Sequence, residues 1–135
     1  MKKSFQIPCS TNYLKDAREF FNDVLNDVGL DETSQNAIIL AVDEVCANII
    51  IHSKCKESQI INLSIEVKDG KLIFEITDKG KHGFDINTYE GPDLDEIIET
   101  KRKGGVGILL VKKIMDKIEM FSSNGINICR LYKSI

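Results

Sequence analysis

At 135 residues, with 42% hydrophobic and 29% charged residues, the chain has the size and make-up of one globular domain with a full core. Its net charge of −3 excludes a general affinity for nucleic acid or acidic lipid, which needs a basic surface. No run of about 18 apolar residues marks a membrane span, and the opening Met-Lys-Lys-Ser-Phe-Gln-Ile-Pro has no apolar stretch for a signal peptide, so a cytoplasmic, membrane-free protein is expected.

A first short strand is expected at residues 4–8, stopped by Pro8. Ser10 or Thr11 can cap a helix to about Val28, with Leu14, Ala17, Phe21, Val24, Leu25 and Val28 inward and Gly29 ending it. Asp31 can cap a second helix. Within it Ile38, Ala41, Val42, Val45, Ile49 and Ile50 form a core stripe, while Glu44, Asn48 and His52 recur every four residues and share one face. Burying a carboxylate and an amide without partners is costly, so a ligand, a metal or a polar network should use that line. The alternative is a solvated stripe on an amphipathic helix.

Residues 59–68 alternate, with Ile61, Leu63, Ile65 and Val67 on one face of a half-buried strand. Asp69-Gly70 is a favoured hairpin turn. The return strand puts Leu72, Phe74 and Ile76 inward and continues that phase to Asp78. An ionised carboxylate at that strand end only accepts hydrogen bonds, which suits an adenine amino group; a cap for the following turn would suit it equally. Gly80 and Gly83 follow, where a flat ring could approach closely. Residues 79–106 read as a long loop, with a short helix over Asp93–Glu99, and long loops in compact domains are usually functional.

Lys101, Arg102 and Lys103 precede Gly104, Gly105, Val106 and Gly107, which open a helix over 107–119. Cations followed by free helix N–H groups suit phosphates, although a flexible basic turn has the same composition. The spacing is neither a P-loop nor a dinucleotide-binding fingerprint. Asn124-Gly125 turns a final hairpin that ends with Ile126, Ile128 and Leu131. Cys9, Cys46, Cys55 and Cys129 lack zinc-site spacing; Cys46 and Cys129 read as core residues, and no disulfide is expected in a reducing compartment. The element order predicts an α+β fold, a two-layer α/β sandwich with a mixed, mainly antiparallel sheet and helices on one face, spanning 1–135 as one domain.

These segments together suggest a nucleotide with a divalent metal. The Asn48 carbonyl is a hard oxygen ligand for Mg²⁺, and Glu44, one turn earlier, can accept a proton from a nucleophile attacking the terminal phosphate. Three motifs in order resemble those of the GHKL (Bergerat-fold) ATP-binding domains, and of the anti-sigma-factor serine/threonine kinases among them. Glu44-Val-Cys-Ala-Asn48 with His52 resembles the N-box, Asp78-Lys-Gly80 the first glycine box, and Gly104 to Asp116 the second. The resemblance implies ATP and Mg²⁺ as cofactors, Asp78 on adenine, Asn48 on the metal and Glu44 as general base. His52, Gly80, Gly83, Lys101, Arg102, Gly104, Gly105, Val106 and Gly107 would complete the ATP site, with residues 86–106 as a lid.

It also implies phosphorylation of an anti-anti-sigma (STAS-type) partner, sequestration of a sigma factor, and a homodimer. The chain departs from the pattern in two places. Asp78 to Phe84 is one residue longer, and Ile126–Leu131 lacks the Thr that many superfamily members place near the Asp. A non-catalytic, ATP-dependent binding module in a partner-switching pathway is the competing reading. A piece of a two-component histidine kinase is a third, disfavoured by the absence of a dimerisation histidine hairpin.

Overall fold

A computed structural model describes residues 1–80 and 106–135. The order is β1 (Lys2–Pro8), a 3₁₀ turn (Thr11–Tyr13), α1 (Leu14–Asn26), α2 (Glu32–His52), β2 (Ile60–Lys68), β3 (Lys71–Asp78), α3 (Val106–Ile114), β4 (Lys117–Ser123) and β5 (Ile126–Ser134). The strands make one sheet in the order β1-β2-β3-β5-β4. Every pairing among the described strands is antiparallel, so the parallel component of the expected mixed sheet is not found there.

Several boundaries have a local cause. The Ser10 hydroxyl accepts from the Asn12 N–H at 3.2 Å and opens the 3₁₀ turn. Asp31 accepts from the Ser34 N–H at 2.7 Å and caps α2. Asp69-Gly70 and Asn124-Gly125 all take positive φ, as the tight hairpin turns require. Their geometry matches the twist of the flanking strands and fixes both registers.

The helices lie on one face of the sheet, and the core fills the space between. Ile61, Leu63, Ile65, Leu72, Phe74, Ile76, Cys129 and Leu131 meet Ala17, Phe21 and Leu25 of α1 and the buried stripe of α2. An aromatic chain binds the layers: Phe5 stacks on Phe20 at 5.2 Å, Phe20 meets Phe21 at 5.1 Å, and Phe21 meets Phe74 edge-on at 5.5 Å. By length and composition α2 could cross a membrane, a reading that a search for one unbroken apolar run misses. Its Ile38, Ala41, Val42, Val45, Cys46 and Ile49 are instead buried inside the domain, which accounts for its apolar character.

Two expectations need correction. The helix expected over 107–119 ends at Ile114, and Ile118 and Met120 belong to β4. The Asp116 N–H donates to the Tyr132 carbonyl at 2.8 Å, and the Asp116 carboxylate accepts from the Ser134 N–H at 2.6 Å. The chain is thus captured by β5 before a further helical turn can form. Second, Cys9 and Cys55 form a disulfide, with Cα atoms 6.1 Å apart. Their separation of 46 residues hides that the end of β1 and the exit of α2 are neighbours. Cys46 and Cys129 are buried as expected.

Candidate functional site

Three elements converge. α2 carries Glu44 and Asn48, half-buried, and ends at His52, which is exposed. The polar line therefore runs from the interior out to solvent. The Asn48 side-chain amide donates to the Glu44 backbone carbonyl at 2.7 Å and to Glu44 Oε1 at 2.9 Å. Two acceptors fix which end of the amide faces Glu44, so Asn48 Oδ1 points away from it. The carboxylate and the amide carbonyl are thereby oriented as a pair.

The start of α3 meets that pair. A β-carbon on Gly107 would overlap the Glu44 carboxyl group. Only glycine lets the first turn of α3 approach so closely, and a carboxylate there lies at the positive end of the helix dipole. Beside it, Asp43 pairs with Arg18 at 3.2 Å. Burial raises the Asp43 carboxyl above its ordinary value; Arg18 opposes that shift and the neighbouring Glu44 charge adds to it. Burial likewise pushes the Cys46 thiol up, so it is an inert core residue.

Asp78 ends β3 and is only 4% exposed. Its Oδ1 accepts from the Gly80 N–H at 2.7 Å and from the Asn127 amide at 3.0 Å. The same Asn127 amide donates to the Gly80 carbonyl at 2.9 Å, and Asn127 Oδ1 accepts from the Ser122 hydroxyl at 2.7 Å. The turn-capping reading of Asp78 is thus seen at Oδ1. Gly80 is held tightly too. A β-carbon there would overlap the Ser53 carbonyl and lie 2.7 Å from Ser53 Cβ and 2.9 Å from Asp78 Oδ1.

Asn127 and Ser53 are absent from the sequence-based set. Asn127 faces Asp78 directly across the β3–β5 ladder, at the place where the motif comparison notes a missing Thr. Asn is depleted in strands, and that anomaly was its one visible signal. Ser53 is fully buried at the C-cap of α2. Of the expected ATP-site residues, Gly83, Lys101, Arg102, Gly104 and Gly105 lie outside the described residues, as do the lid and the helix over Asp93–Glu99. Val106 begins α3.

No cluster of three His, Cys, Asp or Glu side chains capable of holding a metal occurs among the described residues. The donor set fits Mg²⁺ in another way. One amide oxygen at Asn48, oriented by Glu44, is a hard ligand of the kind that completes a shell of waters and phosphate oxygens.

A family model described as "Histidine kinase-like ATPase domain" matches residues 7–133. The chain belongs to the histidine kinase-like ATPase domain family. Curated relatives of this ATPase domain include "Serine-protein kinase RsbW" from two Staphylococcus aureus strains, bovine RF122 / ET3-1 and MRSA252. Each is 30% identical over 129 residues, covering 91% of this chain and 80% of the relative. Two solved structures share the fold. One holds the RsbU and RsbW domains of Rv1364c from Mycobacterium tuberculosis, with a TM-score of 0.70 and 13% identity; 99% of this chain aligns with about a third (32%) of that one. The other is the SiaB–SiaC complex from Pseudomonas aeruginosa, with a TM-score of 0.63 and 13% identity, covering 98% of this chain and 89% of that one. The family and its kinase relatives agree with the resemblance read from the three motifs, and the two-layer α+β architecture is that of these ATPase domains.

Proposed function

We propose that this domain is an anti-sigma-factor-type serine/threonine kinase. It binds Mg-ATP, phosphorylates a hydroxyl of an anti-anti-sigma (STAS-type) partner, and sequesters a sigma factor. The observation that carries the reading is the Glu44–Asn48 pair seated against the glycine start of α3, with the buried Asp78 ending β3 of the sheet that the helices cover. Its RsbW relatives carry the name of serine-protein kinases. A cytoplasmic location and a homodimer complete the reading.

The residues divide the work. Asp78 Oδ2 accepts the adenine amino group, while Gly80 and Asn127 hold Oδ1 and so fix the carboxylate plane. Asn48 Oδ1 would hold Mg²⁺, which when bound would supply charge neutralisation to the transferring phosphate. Lys101, Arg102 and the glycines 104–107 contact the phosphates. Glu44 takes the proton from the attacking serine or threonine hydroxyl. The hydroxyl oxygen then bonds to the terminal phosphorus as the bond to the bridging oxygen breaks, and ADP leaves. The Asn48 amide keeps Glu44 Oε1 aimed during that transfer. His52, at the exposed end of the line, contributes at the rim.

Calorimetry with Mg-ATP tests the site. Asp78→Asn exchanges a charged acceptor for a neutral amide, costing on the order of 1.5–3 kcal/mol, or about ten- to a hundredfold in affinity. Tight ATP binding that ignores this substitution would remove Asp78 from the adenine contact.

A further inference from the structure

The Cys9–Cys55 bond lies against the proposed nucleotide site. Cys9, 5% exposed, follows β1, and its N–H donates to the Gln59 carbonyl at 2.9 Å. Cys55 is half-buried, three residues past the end of α2. The Ser53 hydroxyl donates to Cys55 Sγ at 3.1 Å. The carbonyl and Cβ of this same fully buried Ser53 wall in Gly80, whose N–H holds Asp78. One short path thus runs from the disulfide through Ser53 and Gly80 to the adenine-site carboxylate. Between Ser53 and Cys55, Lys54 takes a φ of +57°, a left-handed conformation that a side chain disfavours and that its surroundings must enforce. The disulfide is the covalent restraint next to it.

We infer that Cys9 and Cys55 are a reversible thiol–disulfide modification site whose oxidation state sets the order of the Ser53–Gly80–Asp78 turn. Through that turn it sets nucleotide affinity, a consequence that rests on the proposed ATP site. The oxidant is a low-molecular-weight disulfide. The Cys55 thiolate, the more exposed and the one receiving the Ser53 hydroxyl, attacks one of its sulfurs. A mixed disulfide forms and one small thiolate leaves. The Cys9 thiolate then attacks Cys55 Sγ and expels the second small thiolate. Two protein thiols lose two electrons and two protons, and one small disulfide becomes two thiols. A dithiol reductant reverses the sequence. Cys46 and Cys129, buried in the core, lie out of reach.

The full chain, equilibrated with oxidised glutathione or with dithiothreitol, tests this. Intact mass should show the loss of two hydrogens in the oxidised form alone. Without nucleotide, the Ser53 and Gly80 amides should exchange several-fold more slowly in the oxidised form, and Mg-ADP should then bind about three- to tenfold tighter. The double variant Cys9→Ser/Cys55→Ser should behave as the reduced form under either reagent. Failure to form the intramolecular bond, or equal exchange at Ser53 and Gly80 in both states, overturns the inference. Exchange that responds to oxidation in a protein that binds no ADP in either state supports the coupling and refutes the nucleotide reading alone.

Discussion

Asn127 closes both ends of the Asp78–Gly80 turn with one amide group, donating to a carboxylate oxygen and to a backbone carbonyl. Its Oδ1 is held in turn by Ser122, so the amide cannot rotate away without losing three hydrogen bonds. Asn127→Ala would leave the part-buried Gly80 carbonyl without this donor and Asp78 Oδ1 with one donor fewer. The cost should be about 1–3 kcal/mol; to the extent that it falls on the bound state, Mg-ADP affinity in calorimetry should drop by about five- to 150-fold. Unchanged affinity would mean that the backbone alone positions Asp78. At this scale the sequence is informative where side chains break a local pattern. Glu44 and Asn48 interrupt an apolar helix, and Asp78 ends an apolar strand phase, so all three were legible. Asn127 and Ser53 act through partners 47 and 27 residues away, or 49 in the case of Asp78, which no local pattern encodes.

The element boundary between α3 and β4 depends on Asp116. Helical spacing of Ile108, Val111, Ile114, Met115 and Ile118 reads as one helix, yet Ile118 and Met120 also fit a strand period, and pairing with Leu131 and Cys129 decides the matter. The Ser134 N–H holds the Asp116 carboxyl below its ordinary value near 3.8, with help from Lys133 and Lys71. A depressed value in the folded state gives stability that is present above the unfolded value and lost as pH falls through the folded one. Urea unfolding followed across pH should therefore show wild type more stable than Asp116→Asn near neutrality. That difference should shrink as pH drops below about 3.8. A difference that is constant down to lower pH would show that the ionised carboxylate is not what anchors the turn. The start of α2 and the two hairpins were legible because their cap and turns are local: Asp31, Asp69-Gly70 and Asn124-Gly125 each act within a few residues.

Across the whole molecule, the sheet order sets what the site can be. β5 returns between β3 and β4, which brings Asn127 beside Asp78, and α2 and α3 pack on the same sheet face with Gly107 against Glu44. The α+β class follows from hairpins and amphipathic helices. The strand order and the meeting of Cys9 with Cys55 do not, because both depend on contacts between distant segments. The assembled arrangement places a paired carboxylate and amide one turn apart on a rigid core helix, where a general base can be held in one orientation. The proposed kinase needs a general base at Glu44, whereas a nucleotide-binding module that only sequesters a partner does not. Transfer of radiolabelled terminal phosphate from ATP to a purified anti-anti-sigma (STAS-type) partner, compared between wild type and Glu44→Gln with ATP affinity measured alongside, tests this most directly. Glutamine preserves the shape and the contact with Asn48 but cannot take a proton, so ATP should still bind while transfer falls by roughly 10²–10⁴-fold. Transfer by Glu44→Gln at the wild-type rate, or no transfer by a wild type that binds both ATP and its partner, would contradict the assignment of Glu44 as the base of a protein kinase.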